Sequence, residues 1–533
     1  MARKVQALHV ITGELTVQTE LTVGSGRAGV DADIESIRDG LGRLVIPGES
    51  LAGALVRVKG VERWDGQGTG RERASQVWIE HAVGAAVPQG RQGGIQVFDH
   101  VNRDRRTGTA VPGGLHSAEV VRPGTKFTVE VLVEQPPGDD RRWVGTVVAI
   151  AAALKHGIHV GAKRSANQGL LTCPKPKITS FEVATPQGML DRLAALGGQS
   201  PKASRSLEQF CTDQGVKPPS MTRNELTIEI PWRAEAPVLS SRSEEGLATR
   251  VPVLVEGSEG LSGRLTVRQS FRVLAERIER TARGGTQRPP EGAKTEFDRQ
   301  VLDERCALTQ VLFGAMGGEG VGRAAAWAQG PAHTATVVAS QNRWAAVETA
   351  QAWRATEAVK KMQAHVALRR AVDGCPGLVL REHNRIEPWS GAPLDGHLFS
   401  EIAIRRSVSW EPMIVTVDLD RLATTFDWSA HDGAQEWAVG HSEQQAKAVL
   451  GLLLLTLREA CGSGLGAGGS VSRAMGWMAI DPAEVRFSCP EGGVADFLAG
   501  RTLGDLGDED LAQALGEVER AWQRAVQGGR EDV

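Results

Sequence analysis

Several short groups of residues in this sequence have types that suit phosphate binding. In IPGESLAG (46–53), a turn runs into a helix, so Ser50 and backbone N–H groups stand at the helix start. Unpaired N–H groups and the helix dipole favour phosphate oxygens at such a position. We therefore predict an anion contact at Ser50, with an ordinary capped helix as the alternative.

A second group is the arginine-rich stretch 264–283, in which Arg268, Arg272 and Glu276 recur at four-residue spacing. That spacing puts them on one face of a helix, partly basic and partly salt-bridged. Guanidinium groups bind phosphate in a bidentate way that lysine cannot reproduce. We predict RNA contacts for Arg268 and Arg272, and a solvated charged face is the alternative.

Two polar stretches, HVNRDRRTG (100–108) and HNRIEPWSG (383–391), have the Gly and Pro content of exposed loops that carry function. Their basic and aromatic side chains can contact phosphates or stack on splayed bases. The alternative is an ordinary surface role. The candidate residues are His100, Arg103, Arg105, Arg106, His383, Arg385 and Trp389.

Two glycine-rich loops, 161–169 and 466–476, follow apolar helices. Glycine lets the backbone approach a ligand closely, and successive N–H groups can form an anion-binding concavity. A plain turn is the alternative. The candidate RNA-binding residues of these loops are Lys163, Arg164, Ser165, Ser470 and Arg473.

These groups occur twice, in the same order along the chain. The segment 98–119 aligns with 381–401, and the helix and glycine loop after each also align. Three matches in one order favour a duplication over chance. The aligned pairs include His100 with His383, Ser117 with Ser400, Gly161 with Gly466, and Ser50 with Thr266.

Each copy reads as strand, helix, strands, helix and strand, which is the split βαβ arrangement of a ferredoxin-like α+β domain. We predict a first domain over 1–175, a linker over 176–222 that is rich in Pro, Gly and Ser, and a second domain over 223–482. The acidic segment 483–533 is predicted to hold one amphipathic helix, used for packing or for subunit contact.

Composition limits the classes of function. The net charge of -3 excludes a polycation, so a nucleic-acid surface has to come from local clusters. The six cysteines form no Cys-x-x-Cys pair, which argues against a zinc ribbon or a small disulfide scaffold. The most apolar helical stretch, 448–457, is about half the length of a membrane span. We expect a cytoplasmic protein without a membrane partner.

The motifs GSG, RDG.GR, IPG.SLAGAL, NRDRRTG and VGAKRSANQG, in this order, resemble the RAMP superfamily. More narrowly, they are similar to backbone subunits of type III CRISPR effector complexes, which act in antiviral defence. Because both copies fit, the chain resembles a tandem fusion of two backbone subunits, as in the type III-D branch. The resemblance implies two ferredoxin-like (RRM-like) palms that hold guide RNA (crRNA), with β-hairpin thumbs that displace a nucleotide of the guide–target duplex.

The resemblance also implies target RNA and other CRISPR effector subunits as partners, and an endoribonuclease aspartate. The family aspartate lies six residues before the aspartate of the RD turn, here Asp39. This position is Asp33, with Asp31 as the second candidate. A carboxylate can take the proton of the attacking 2′-hydroxyl or hold a divalent metal ion. We expect that ion to be Mg²⁺, with Asp33 as its ligand.

The second copy lacks this acid, since Ala248, Thr249 and Arg250 occupy the stretch where the family pattern expects it. We therefore predict that the second domain binds RNA without cutting it, and Glu244 and Glu245 are the only replacement acids nearby.

Two other functions stay open at this point. One is a purely architectural RNA-binding subunit in which Asp33 has no catalytic role. The other is a ribonuclease that processes guide RNA, which would need a histidine base from among His100, His156 and His159.

Overall fold

The protein was analysed as a computed structural model, which divides into two compact units, the first ending at Arg223 and the second beginning at Asn224. We call them the first unit and the second unit. The described residues are 4–26, 32–56, 75–86, 94–103, 110–138, 141–199, 203–219, 223–243, 247–256, 259–283, 306–314, 325–352, 358–422, 442–471, 474–507 and 509–527.

The first unit is built on a nine-stranded sheet with the order β11-β10-β1-β7-β4-β2 along its main path. In addition, β3 pairs with β7, and β9 joins β1 to β8. Strands β5 and β6 form a separate hairpin, called here the first hairpin. The strands are β1 (Ala7–Val17), β2 (Arg43–Ile46), β3 (Val77–Ile79), β4 (Ala82–Ala86), β5 (Ile95–Arg103), β6 (Ala110–Val121), β7 (Lys126–Gln135), β8 (Ile158–His159), β9 (Leu170–Thr172), β10 (Lys177–Phe181) and β11 (Ser204–Ser206).

The helices in the described residues of the first unit are α1 (Gly48–Leu55), α2 (Arg142–His156), α3 (Pro186–Leu196) and α4 (Leu207–Gln214). Helix α2 is apolar along most of its length, and Val147, Ile150 and Leu154 are fully buried. These side chains recur at helical spacing, so one face of α2 packs on the sheet and fixes the position of the glycine loop that follows it.

The second unit has smaller sheets, with strand orders β18-β22-β12-β25, β13-β24-β23, β14-β15-β21-β20 and β16-β17-β19. We call β20 and β21 the second hairpin. The strands are β12 (Glu225–Ile230), β13 (Arg233–Ala234), β14 (Ser241–Ser243), β15 (Ala248–Pro252), β16 (Leu254–Glu256), β17 (Leu261–Leu265), β18 (Trp327–Gln329), β19 (Ala332–His333), β20 (Leu378–Ile386), β21 (Pro393–Ile404), β22 (Met413–Asp418), β23 (Leu465–Gly466), β24 (Trp477–Ala479) and β25 (Arg486–Ser488).

The helices of the second unit are α5 (Arg268–Arg283), α6 (Ala307–Phe313), α7 (Gln341–Gln351), α8 (Ala358–Asp373), α9 (Leu419–Leu422), α10 (Ser442–Ser463) and α11 (Ala512–Gln527). Helix α11 packs on α10 where Gly451 leaves room: a Cβ atom there would lie 3.1 Å from Trp522 and 3.3 Å from Val518. The acidic C-terminal segment therefore contributes to the core of the second unit.

The predicted α+β class is confirmed by this mixture of antiparallel sheets and helices. The predicted linker differs from the structure. Strand β10 pairs antiparallel with β1, and Leu207 and Phe210 are buried in the core of the first unit. The Pro, Gly and Ser residues of 176–222 therefore mark turns between short packed elements, and the segment is more than a linker.

The two hairpins have the same register. His100 lies opposite His116 in the first hairpin, and His383 lies opposite Phe399 in the second. In both hairpins the register of the strand pairing shifts at the equivalent place, after Val101 and after Asn384. This agreement matches the sequence alignment of His100 with His383.

The two glycine loops also have equivalent backbone structures, but the equivalent residues are shifted by two positions from the sequence alignment. Val160 N–H donates to Gly169 O at 2.9 Å, and Ala467 N–H donates to Gly476 O at 2.8 Å. Lys163 and Ser470 both have left-handed backbone angles, with φ of 59° and 56°. Ser470 is therefore the counterpart of Lys163, because the hydrogen bonds of the loop fix its register and glycine counting does not.

No helix among the described residues is long and apolar enough to cross a membrane. All six cysteines are free thiols, and Cys173, Cys211, Cys306 and Cys375 are buried, as expected for cysteines used in packing.

Candidate functional site

Asp33 is held on the first hairpin by Ser117. Its Oδ2 atom accepts hydrogen bonds from Ser117 N–H at 2.7 Å and from Ser117 Oγ at 2.9 Å. Asp33 N–H donates back to Ser117 Oγ at 3.0 Å. The carboxylate is exposed, and two bonds use only part of its acceptor capacity. The arrangement therefore fixes the carboxylate and keeps it accessible to a ligand.

The loop that carries Asp33 is fixed along the edge of β6. Ile34 forms a parallel bridge with Ala118. Glu119, only 8% exposed, accepts Ser36 N–H at 2.8 Å and pairs with Arg38 Nη2 at 2.9 and 3.0 Å. A buried carboxylate with several donors is strongly held, so this network gives the Asp33 loop one defined path.

The hydrogen bonds from Ser117 lower the pKa of Asp33, with the N–H bond contributing most. Coulombic interaction with His116 acts on the pKa of Asp33 in the same direction. Asp33 is therefore ionised at neutral pH, as a metal ligand must be. Mg²⁺ binds through one or two carboxylates plus substrate phosphates and keeps several waters. An exposed single carboxylate fits that mode, and no group of three His, Cys, Asp or Glu suited to a metal occurs in the described part of the chain.

Two histidines and a lysine lie together beside this site. The rings of His100 and His116 are 5.3 Å apart across the first hairpin. Lys163 Nζ lies 2.6 Å from His100 Nε2. Because an ammonium group only donates, the lysine is the donor and the imidazole nitrogen is the acceptor. The hairpin and the glycine loop are thus joined by a pair that carries positive charge.

The backbone path of the first glycine loop requires glycine at positions 161 and 169. A Cβ atom on Gly169 would lie 1.9 Å from Val160 O, and one on Gly161 would lie 2.3 Å from Thr22 O. Both residues also have positive φ. The tight path of the loop is what brings Lys163 to His100.

The second unit repeats this frame with different side chains. Strand β15 runs parallel to β21, with Arg250 opposite Glu401 as Ile34 is opposite Ala118. Thr249 is exposed in the place of Asp33, and its Oγ1 donates to Ser400 O at 3.2 Å. No carboxylate stands at this position in the second unit. Residues Glu244 and Glu245 lie outside the described residues.

Glu401 is 1% exposed and receives contacts from three elements of the second unit. Ser470 Oγ donates to its two oxygens at 3.2 and 3.3 Å, His383 Nε2 lies 3.1 Å away, and Arg250 Nη1 lies 3.8 Å away. The second hairpin, its glycine loop and β15 are therefore joined through one buried carboxylate.

Ser50 lies in the first turn of α1, as predicted, and is half-buried. The start of this helix is already partly used, since Gly48 N–H donates to His81 Nδ1 at 2.9 Å. A Cβ atom on Gly48 would lie 2.1 Å from Ile79 O, so the glycine is there to permit this close packing.

The structure corrects the prediction for Arg272. Its side chain is 7% exposed and pairs with Glu276 at 3.0 Å, so it is directed into the protein and is not on an accessible surface. Arg268 also turns inward: its Nη2 donates to Phe313 O, and its guanidinium lies 5.5 Å from the centre of the Phe313 ring. The arginine spacing therefore reflects packing of α5 within the second unit, where Phe313 at the end of α6 contacts Arg268.

The remaining predicted residues fall into three groups. Trp389 is 96% exposed at the tip of the second hairpin. Arg164 and Ser165 lie half-buried in the turn of the first glycine loop, Arg103 ends β5 and Arg385 lies in β20. The predicted residues that lie outside the described residues are Asp31, Arg105, Arg106 and Arg473.

Sequence reasoning missed Ser117, His116 and Glu401 as parts of these sites. Ser117 was visible only as a repeat position shared with Ser400. His116 aligns with Phe399 and so carried no repeat signal. Glu401 gave no signal of burial, because an acid in a polar hairpin is expected to be solvated.

A scan of family models matches residues 14–172 to the RAMP superfamily. No curated protein matches the chain. Among solved structures, a chain of the type III-B Cmr-beta cryo-EM structure in the apo state aligns with 33% of this chain and 98% of its own length, at 14% identity and a TM-score of 0.26. A chain of type III-B Cmr-beta bound to cognate target RNA aligns with 32% of this chain and 96% of its own length, at 13% identity and a TM-score of 0.25. These two scores are too low to support an argument about fold or function.

The family match covers the Asp33 loop, the first hairpin and the first glycine loop, and it ends before the second unit begins. The RAMP relationship that the motifs predicted is therefore confirmed for this part of the protein. The chain carries a RAMP superfamily domain between residues 14 and 172.

Proposed function

We propose that this protein is a guide-RNA-binding backbone subunit of a type III CRISPR effector complex, formed by fusion of two RAMP domains as in the III-D branch. Its first unit cleaves target RNA through Asp33, and its second unit binds RNA without cutting. The partners are the CRISPR guide RNA, the target RNA and other effector subunits, and the complex acts in the cytoplasm.

The observation that carries this proposal is the contrast between Asp33 and Thr249. The two residues occupy equivalent places beside hairpins of equal register, yet only Asp33 offers a carboxylate. The hairpins support RNA binding by both units. Trp389, 96% exposed at a hairpin tip, has the geometry to stack on a base.

The cleavage mechanism follows from what each group of the first unit can do. Asp33 accepts the proton of the 2′-hydroxyl next to the scissile phosphate, while Ser117 fixes the direction of the carboxylate. Lys163, held by His100, places positive charge beside the phosphate. A divalent ion on Asp33 would supply further stabilisation of the negative charge that develops on phosphate oxygens.

Cleavage of a labelled target RNA by the assembled complex in the presence of Mg²⁺ tests the proposal. We expect Asp33→Ala and Asp33→Asn to abolish the fragments while guide-RNA protection from nuclease is kept. Glu35→Gln is the matched control, because it removes a carboxylate from the same loop two residues away.

An unchanged fragment pattern with Asp33→Ala would refute the catalytic assignment. If wild-type complex protects guide RNA but cuts no target, the protein is the architectural subunit. If the isolated chain cleaves repeat RNA, the guide-processing function replaces the proposal.

A further inference from the structure

The mechanism above leaves one proton unassigned. When the 2′-oxygen attacks phosphorus, the bond from phosphorus to the 5′-oxygen breaks, and this leaving oxygen needs a proton. Asp33 cannot supply it in the same step, because it is ionised and is the acceptor of the 2′-hydroxyl proton. A second titratable group near the site is required for full acid–base catalysis.

We propose that His116 is the general acid that protonates the 5′-oxygen leaving group when the first unit cleaves RNA. This inference rests on the proposed function of Asp33. It adds a catalytic residue to the site, and it is drawn from the contacts of the first hairpin.

His116 is adjacent in sequence to Ser117, the residue that anchors Asp33. Successive side chains of a strand point to opposite faces, so the His116 ring and the Ser117 hydroxyl leave β6 on opposite sides. The Asp33 carboxylate is not confined to the face of the Ser117 hydroxyl, because it also accepts the Ser117 backbone N–H group at the edge of the strand. The proposal therefore places the scissile phosphate at this edge of β6, between the Asp33 carboxylate and the His116 ring.

The ring of His116 is half-buried and oriented by its own strand. Its Nδ1 lies 3.4 Å from Gly114 O, and a carbonyl oxygen only accepts, so Nδ1 carries a hydrogen. In the imidazolium form the Nε2–H group is then the one that donates to substrate. Donation from Nε2 leaves the neutral tautomer that the Gly114 contact already favours.

His100, the other ring of the pair, is assigned a different role. Its Nε2 accepts from the Lys163 ammonium at 2.6 Å, so that nitrogen carries no proton to give. His100 is instead a positioning residue for Lys163. The two neighbouring histidines are thus assigned different roles because each one contacts a different partner.

The electrostatics of the site agree with this assignment. The charge of His116 contributes to lowering the pKa of Asp33, so the two groups lie within electrostatic reach of each other. The second unit provides independent support. There Thr249 replaces the base and Phe399 replaces the acid, while the hairpin register is the same. The non-cutting unit lacks both groups of the pair.

The complete step balances in atoms and charge. The 2′-oxygen forms a bond to phosphorus and gives its proton to Asp33, the bond from phosphorus to the 5′-oxygen breaks, and that oxygen takes a proton from His116. The products are a 2′,3′-cyclic phosphate and a 5′-hydroxyl. Exchange with water then returns the proton from Asp33 to solvent and reprotonates His116.

A target RNA with sulfur in place of the scissile 5′-oxygen provides the test, since a thiolate leaves without a proton. With the ordinary target, we expect His116→Ala in the assembled complex to slow cleavage by about 10²-fold or more. With the sulfur-containing target, we expect the same variant to cleave at the wild-type rate. An equal loss on both targets would overturn the proposal, because a misfolded hairpin is not rescued by a better leaving group.

Two further variants make the result specific. His116→Gln keeps a similar size and should show the same rescue, whereas His365→Ala, a histidine of the second unit, should leave both targets unaffected. Asp33→Ala should stay defective on both targets. If the sulfur-containing target restores cleavage by His116→Ala while Asp33→Ala has no effect on either target, His116 is the general acid and the proposed role of Asp33 is wrong. If the wild-type complex cleaves neither target, both proposals are wrong.

Discussion

The two hairpins of this protein share one backbone design and differ in the side chains that could do chemistry. In both, a parallel segment runs beside the second strand, and a glycine loop with a left-handed residue packs against the hairpin. The first unit fills the equivalent positions with Asp33, His116 and Lys163, and the second unit fills them with Thr249, Phe399 and Ser470. The backbone frame is thus the same in both units although these side chains differ.

The way in which each frame is held together also differs. In the first unit the hairpin meets the glycine loop through the His100 and Lys163 pair. In the second unit, Glu401 takes the place of Ala118, and its buried carboxylate contacts His383, Ser470 and Arg250. The equivalent positions therefore carry an exposed carboxylate in the first unit and a network around a buried carboxylate in the second unit.

The largest expected effect comes from replacing Asp33 of the first unit by threonine, the residue at the equivalent position, Thr249, of the second unit. Asp33→Thr removes the carboxylate but keeps a hydroxyl, and cleavage should fall by about 10² to 10⁴-fold, the range for loss of a catalytic acid or base. Rates of target cleavage by the assembled complex measure this. Full activity in the variant would mean that the Asp33 and Thr249 contrast has no catalytic meaning.

Acid pH should lower the stability of the first unit relative to that of the second unit. Burial lowers the pKa of His9 in the first unit from 6.5 to about 4, and its contacts are a stacked Trp143 ring at 4.0 Å and hydrogen bonds to Ser180 and Gln135. The unfolded chain therefore binds more protons between these pH values. The stabilisation, about 3 kcal/mol, is complete above pH 6.5 and is lost as the pH falls towards 4.

Hydrogen exchange of the first-unit amides at pH 6.5 and pH 4.5 measures this loss, after correction for the intrinsic exchange rates. His9→Gln, which cannot titrate, should be less stable at neutral pH and should show a smaller change between the two conditions. An equal change in both proteins would assign the acid sensitivity to other groups.

Making the second hairpin resemble the first should destabilise it. Glu401→Ala introduces the residue found at Ala118 and leaves the Ser470 hydroxyl without its acceptor, at a cost of about 2 kcal/mol. Hydrogen exchange of the β20 and β21 amides reports the loss. Glu382→Ala is the control, because the Glu382 pair with Arg369 is exposed and surface pairs contribute about 0 to 1 kcal/mol. Equal effects would show that the Glu401 network is not structural.

The smallest expected effect is that of Thr249→Asp, which restores an acid to the second unit. We expect no new target fragment, because Phe399 and Ser470 stand where the first unit has His116 and Lys163. Adding Phe399→His to this variant should produce a weak new cut. A strong second cut from Thr249→Asp alone would contradict the role assigned to His116.

Much of this organisation could be predicted from local patterns. The α+β class and the RAMP relationship of residues 14–172 are confirmed. The apolar runs before the two glycine loops predicted α2 and α10, because burial of a helix depends on the spacing of apolar residues along the chain. The alignment of His100 with His383 matches the observed hairpin register, since the number of residues between paired strand positions is fixed in sequence.

Other features needed contacts between distant segments. Arg272 has the spacing of an exposed basic face, and only the packing of α5 within the second unit buries it. The Pro, Gly and Ser content of 176–222 gave no indication of β10, because its partner strand β1 lies far away in sequence. Lys163 could be aligned with Ser470 only from backbone hydrogen bonds, because several glycines in the loop allow more than one alignment.

The sequence by itself determined the types of residue available for chemistry and the order of the elements that carry them, since both are local properties of the chain. Only the tertiary structure decided which residues meet. Asp33 and Ser117 are 84 residues apart in sequence, and Lys163 and His100 are 63 apart. Such contacts depend on strand register and on the path of the glycine loop, which hydrogen bonds between distant segments fix and which no local pattern encodes.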